Sequence, residues 1–106
     1  MQLITKEIAK KLQSQFPKGS DMDQDVIVKF FDNYGDWRWY GMNQDPNDPD
    51  YLWGIVKGFE IEIGSFSISE LESLKSFGTN RIERDKFFKS MPAKELWDKL
   101  HRGENV

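Results

Sequence analysis

The chain has no cysteine among its 106 residues. That excludes a disulfide framework, a thiol nucleophile and any cysteine-ligated zinc or iron–sulfur centre. A single histidine, His101, gives a Ser–His pair or a histidine-based zinc site little to draw on. No apolar run approaches the ~20 residues that a membrane span needs. The segment Met1-Gln2-Leu3-Ile4-Thr5-Lys6-Glu7 lacks the apolar core of a signal peptide. Positive charge is also short, with 15 Lys and Arg against 18 Asp and Glu and a net charge of -3. A nucleic-acid-binding domain normally carries a net positive stripe, so nucleic acid is not the expected partner. These absences lead to the expectation of one soluble, cytoplasmic domain over residues 1–106, with no membrane association, cofactor or metal.

Aromatic residues are plentiful. They make up 14% of the chain, as eight Phe, four Trp and three Tyr. Each ring buries roughly 150–250 Å², so a few of them can supply much of a small core. The densest stretch runs from Val26 to Tyr40 and reads as two β-segments joined by a turn. Val26, Val28 and Phe30 alternate with Ile27, Lys29 and Phe31; after Asp32-Asn33-Tyr34-Gly35-Asp36, Trp37 and Trp39 share a face opposite Arg38 and Tyr40. Gly35 is the natural left-handed residue of that turn. Charge is uneven along the chain: residues 20–50 hold eight Asp against Lys29 and Arg38, whereas residues 1–19 and 81–102 are basic.

Around the hairpin, Thr5 is placed to cap a helix reaching about Phe16, with Ile8, Ala9, Leu12 and Phe16 on one face. Pro17-Lys18-Gly19-Ser20 ends it. Residues 43–50 read as a polar loop with two prolines. Tyr51 to Val56 reads as a strand, Lys57-Gly58 as a turn, and Phe59-Glu60-Ile61-Glu62-Ile63 as a strand with its glutamates in water. Gly64 suggests a bulge. Ser67-x-x-Glu70 and Ser69-x-x-Glu72 are overlapping capping boxes for a short helix, with Gly78 as its C-terminal cap. Residues 81–89 read as an extended edge, and Pro92 as the first turn of a last helix bearing Ala93, Leu96, Trp97 and Leu100. The fold class is therefore α+β: an antiparallel sheet of four to five strands, helices at both termini and one short inserted helix.

Several blocks, in order, resemble a bacterial single-domain family. They are Leu3-Ile4-Thr5-Lys6, Val28-Lys29-Phe30-Phe31-Asp32, Gly35-x-Trp37-x-Trp39-Tyr40, Gly54-Ile55-Val56-Lys57-Gly58-Phe59-Glu60, Glu62 to Leu71, and Ile82-Glu83-Arg84-Asp85-x-x-Phe88. The family is catalogued as domain of unknown function 2958. The resemblance runs from about Leu3 to Phe88 and does not take in the chain after Met91. It implies a genetic context, plasmids and conjugative or phage-like elements, rather than a chemistry.

The candidate sites are polar. Asp21-x-Asp23-x-Asp25 opens like a calcium loop, but Val26 stands where such a loop needs Gly, and Asp32 where it needs a bidentate Glu. Asp45, Asp48 and Asp50 share one loop and could offer oxygen ligands to a hard cation, but nothing there fixes six of them; a solvated surface, or one that meets a basic partner, is the expectation. Arg81, Glu83, Arg84 and Asp85 form the most suggestive cluster, since a guanidinium fork can clamp carboxylate or phosphate. In an extended segment Arg84 lies with Ile82, facing inward as half of an ion pair. Trp37, Trp39, Tyr40, Tyr51 and Trp53 are a platform for bases or sugars if exposed, and core if buried. The reading reached is a small acidic, non-enzymatic protein-binding module of a mobile element, for instance an inhibitor of a host defence nuclease complex. Its partner-facing residues are Asp45, Asp48, Asp50, Arg81, Glu83, Arg84 and Asp85. The alternatives are a small enzyme using Glu83, Arg84 and Asp85, or a single-strand nucleic-acid binder.

Overall fold

In the computed structural model, which describes residues 2–106, the aromatic segments become the middle of one antiparallel sheet. Helix α1 spans Lys6–Ser14, and the Thr5 hydroxyl accepts the Ile8 amide at its start. The strands are β1 (Asp25–Val26), β2 (Val28–Asp32), β3 (Arg38–Gln44), β4 (Tyr51–Lys57) and β5 (Ile61–Ser67). Helix α2 (Ile68–Ser73), β6 (Lys75–Ser76), β7 (Thr79–Asn80), β8 (Ile82–Arg84), β9 (Met91–Pro92) and α3 (Ala93–His101) follow. The central sheet has the order β5-β4-β3-β2-β8, while β1–β9 and β6–β7 form small two-stranded pairs. The fold is α+β with helices near both ends and a short one inserted, as the periodicities indicate.

The sheet is covered on both faces. Leu3, Leu12 of α1 and Ile68 and Leu71 of α2 pack on Val28, Phe30, Trp39, Leu52, Phe66 and Ile82. On the other face Ala93, Leu96 and Leu100 of α3 pack on Val26, Tyr40, Met42 and Ile55. Each such large apolar side chain contributes roughly 1.5–3 kcal/mol by leaving water. The result is three layers, helix on sheet on helix.

Several local expectations are corrected. The first helix stops at Ser14, because Pro17 enters a 3₁₀ turn over Phe16–Lys18, and Phe16 is exposed rather than part of the helix face. The segment 26–31 is not one strand: the chain breaks at Ile27, whose amide bonds Gly41. Val26 therefore packs with α3, opposite Val28 and Phe30. Gly35 does not have positive φ; the left-handed residues are Gly19, Phe77, Gly78 and Gly103. Gly78 caps no helix but turns the β6–β7 hairpin together with Phe77, as a two-residue turn with both φ positive requires. The bulge lies in β3 between Gly41 and Asn43, and Gly64 pairs regularly with Gly54.

Residues 43 and 44 end a strand rather than begin a loop, since their amides are bonded inside. Asn43 Nδ2 donates to the Gly19 carbonyl and to Gln24 Oε1, and Gln44 Nε2 donates to the Pro49 carbonyl. Buried amides with all these partners are stabilising, whereas an unpaired one would cost about 1–3 kcal/mol. This network holds the Asp21–Asp25 and 45–50 loops against the sheet.

Candidate functional site

The polar cluster of residues 81–85 lies on edge strand β8, beside β2. Arg81 Nε donates to both carboxylate oxygens of Asp32, at 2.9 and 3.0 Å, and the Tyr34 amide donates to the same group. Burial alone would raise the Asp32 pKa. The Arg81 and Tyr34 hydrogen bonds and the charges of Arg81 and Arg38 outweigh it and hold the carboxyl below its ordinary value. Among the described residues Arg84 pairs with no carboxylate: its Nη1 donates to the backbone carbonyls of Gln2 and Leu3. The inward ion pair expected of Arg84 belongs to Arg81 instead. Asp85 sits 3.5 Å from Lys29 and accepts the Phe87 amide. Lys29 is pulled down mainly by burial, with Asp85 opposing that shift and Arg38 adding to it. Glu83 makes no side-chain hydrogen bond to any described residue and stands half-exposed at the edge.

The 45–50 loop divides in the same way. Asp50 binds α2, accepting from the hydroxyls of Ser67 and Ser69 and from the Ser69 amide. Those bonds, the Ser67 hydroxyl foremost, lower its pKa. Asp45 closes a local turn through the Asn47 amide, and Asp48 projects outward. Asp21 likewise closes a turn, accepting the Asp23 amide. Among the described residues no group of three or more His, Asp or Glu is placed to hold a metal ion.

The aromatic candidates separate by face. Tyr40 is buried against α3, its hydroxyl donates to the Val106 carbonyl, and burial raises its pKa to about 12. Trp53 packs on the same side, and Tyr51 is exposed. Trp37 and Trp39 lie on the α1–α2 face, 5.9 Å apart between ring centroids. α2 has only six residues, so it leaves that end of the face open. There Phe59 stands edge-on to Trp37 at 5.4 Å while remaining 95% exposed. Gly58 makes the packing possible, because a Cβ there would meet the Trp37 ring at 2.5 Å.

Two contiguous hollows of about 390 and 320 Å³ flank Trp37 and Val56. Glu60, Glu62 and Glu70 stand among their lining residues. Aromatic faces beside carboxylates and without a basic lining residue suit a cationic, partly apolar ligand through cation–π contact. They disfavour a phosphate backbone. The alternation over 59–63 puts Phe59 on the core side of a strand, and the structure corrects this. The strand begins at Ile61, and the Gly58 turn lifts Phe59 out of the alternation. The Lys57-Gly58 signal is visible in the sequence; its consequence for Phe59 is not.

A three-layer α+β domain with an open, acid-flanked aromatic groove is thus the class of protein described. The chain belongs to the family described as "Protein of unknown function (DUF2958)", which matches residues 3–103. The match takes in α3, which the sequence blocks quoted above did not cover. No curated protein and no solved structure matches the chain.

Proposed function

We propose that this protein is a non-enzymatic protein-binding module encoded by a mobile element. The observation that carries the proposal is the groove of Trp37, Trp39 and Phe59 beside Glu60, Glu62 and Glu70. Phe59 does not stand alone but continues an apolar patch with Trp37 and Val56, and contiguous apolar patches and rings in a pocket are the usual anchors of an interface. The enzyme alternative has less support, because Arg84 and Asp85 are engaged with backbone carbonyls, Lys29 and a local amide. The single-strand alternative also has less, because the rings of this groove stand among glutamates with no basic lining residue. Asp45, Asp48 and Glu83 remain as acidic positions for the rim of a basic partner, while Asp50, Arg81, Arg84 and Asp85 are engaged in bonds within the fold. A cytoplasmic nuclease complex of host defence is the concrete partner proposed, its nucleic-acid groove being basic where this surface is acidic.

Affinity capture from the native host tests this reading, with Phe59→Ala as the paired bait. The expected result is a defined host protein retained by the parent and lost with the variant at unchanged melting temperature. Equal retention by both baits, or turnover of a substrate by the purified protein, would overturn it.

A further inference from the structure

β5 is one edge of the central sheet and pairs with β4 alone. Its seven residues hold neither lysine nor proline, and its register with β4 is unbroken. Edge strands are usually kept short or guarded by Lys, Pro, bulges or a covering segment, because unpaired N–H and C=O groups template another strand. The opposite edge follows that rule: β8 has three residues, and Arg84 there is tied to the carbonyls of Gln2 and Leu3. β5 carries one charge, Glu62, and among the described residues no lysine, proline, bulge or further strand guards it.

The register identifies its free groups. Opposed residues of an antiparallel ladder alternate between pairs that exchange both hydrogen bonds and pairs that exchange none. At the two ends of β5 the Gly58 amide donates to the Glu60 carbonyl and the Ile68 amide to the Asp50 carbonyl. Glu62, Gly64 and Phe66 share that parity and bond inward to β4. The N–H and C=O of Ile61, Ile63 and Ser65 therefore face outward.

Grooves open beside this edge on both faces of the sheet. On the α3 side Ile63 lines a hollow of about 1030 Å³, in which Asp21, Asp23, Asp25 and Asp98 outnumber Lys18 and Lys94. On the other side Gly64 leaves a notch next to Glu62 and Trp39, where an added Cβ would meet nothing within 4 Å.

We infer that β5 accepts an extended basic segment of a partner protein as a sixth strand of the sheet. Alternate side chains of that segment enter the two acid-lined grooves, and its backbone pairs with Ile61, Ile63 and Ser65. The inference rests on the protein-binding reading above and adds the mode and the chemistry of the partner. A second copy of this chain is a poorer occupant, because self-pairing would bring Glu62 and the flanking aspartates of both copies together.

The probe is a short fluorescent peptide of alternating arginine and valine, with a glutamate–valine peptide as its counterpart. Ile63→Pro removes an outward N–H, which an edge strand tolerates, but also the Ile63 side chain from the α3 side of the sheet. Ser65 is exposed, so Ser65→Pro isolates the loss of the N–H and its melting temperature should stay near the parent's. Ser65→Pro is the second variant, should the first fold poorly. The expected result is binding of the arginine peptide by the parent, weakened about tenfold or more by either proline. Slowed amide exchange at Ile61, Ile63 and Ser65 should accompany binding. Equal binding to parent and proline variants would overturn strand addition; a loss with Phe59→Ala in the same assay would then leave the protein-binding reading standing. Equal binding of the glutamate peptide, or no binding of the arginine peptide by the parent, would overturn the basic partner. A concentration-dependent dimer of the parent that the proline variants cannot form would assign the edge to a second copy and also overturn the inference.

Discussion

Asp32 carries three structural duties in one carboxylate: it binds Arg81, holds the Tyr34 amide and faces Gly35, where a Cβ would come within 3.0 Å of it. Its pKa lies below the ordinary value in the folded chain. The folded state therefore releases its proton more readily than the unfolded state. The stability this contributes is complete above the unfolded carboxylate range, near 3.9, and is lost as pH falls through the lower folded value. Asp50 contributes in the same window, since it too is lowered. Asp32→Asn keeps an acceptor for the Tyr34 amide but not the charge. The variant should be less stable at neutral pH and lose less further stability on acidification than the parent. Urea melts at pH 7 and pH 3 measure this, and parallel losses in both proteins would exclude Asp32 as the titrating group. The aromatic residues separate as clearly. Trp39 is 8% exposed in the core, whereas Trp37 is half-buried under Phe59. Trp39→Ala should cost about 3–5 kcal/mol, a large part of the ~5–15 kcal/mol available to a domain. Trp37→Ala should cost distinctly less, and thermal melts of the two variants separate them.

At the scale of elements, β3–β4–β5 was legible because its alternation is strong and its turns carry Asn, Gly and Pro. The capping hydroxyls of Thr5 and Ser67 were legible for the same local reason. Other features depend on distant partners. β9 forms only because Met91 meets Val26, and Gly78 turns a hairpin because β6 and β7 pair across it. Neither contact leaves a periodicity in a single segment. The candidate site was legible in composition but not in assignment: Arg81 and Arg84 look alike in sequence, and only the fold decides which meets Asp32. Gly54 and Gly64 show the same dependence. They are cross-strand partners, yet a Cβ on Gly54 would lie 1.8 Å from the Tyr40 carbonyl oxygen, while one on Gly64 meets nothing. Gly54→Ala should therefore disrupt the β3–β4 pairing and unfold the domain. Gly64→Ala should be neutral or stabilise by up to about 1 kcal/mol, since glycine is a costly strand residue. Circular dichroism melts decide between these outcomes, and a folded, parent-like Gly54→Ala would mean that the two strands lie farther apart than described.

For the whole molecule, negative charge is the organising feature. A net charge of -3, with carboxylates along both sides of β5, repels phosphate and attracts basic segments. Electrophoretic shifts with duplex and single-stranded DNA should show little binding at physiological salt; tight binding with a steep salt dependence would require a focused basic patch instead. The 45–50 loop extends the acidic margin to the far end of the edge strand, since Asp45 and Asp48 line a small hollow of about 120 Å³ together with Ser65 and Trp53. Asp50 is excluded from the comparison because it anchors α2, so a change there would mix folding with binding. Asp45→Asn combined with Asp48→Asn removes two charges, and the first of these substitutions still leaves a side-chain oxygen to accept the Asn47 amide. Rim charges act chiefly on encounter, so the double variant should bind the arginine–valine peptide with a slower association rate and a nearly unchanged dissociation rate. The difference should shrink as salt rises and the Debye length falls from about 30 Å at 0.01 M to about 8 Å at 0.15 M. Stopped-flow fluorescence at the two salt concentrations reads both rates, and an association rate equal to the parent's in low salt would place the loop outside the approach path of a basic partner.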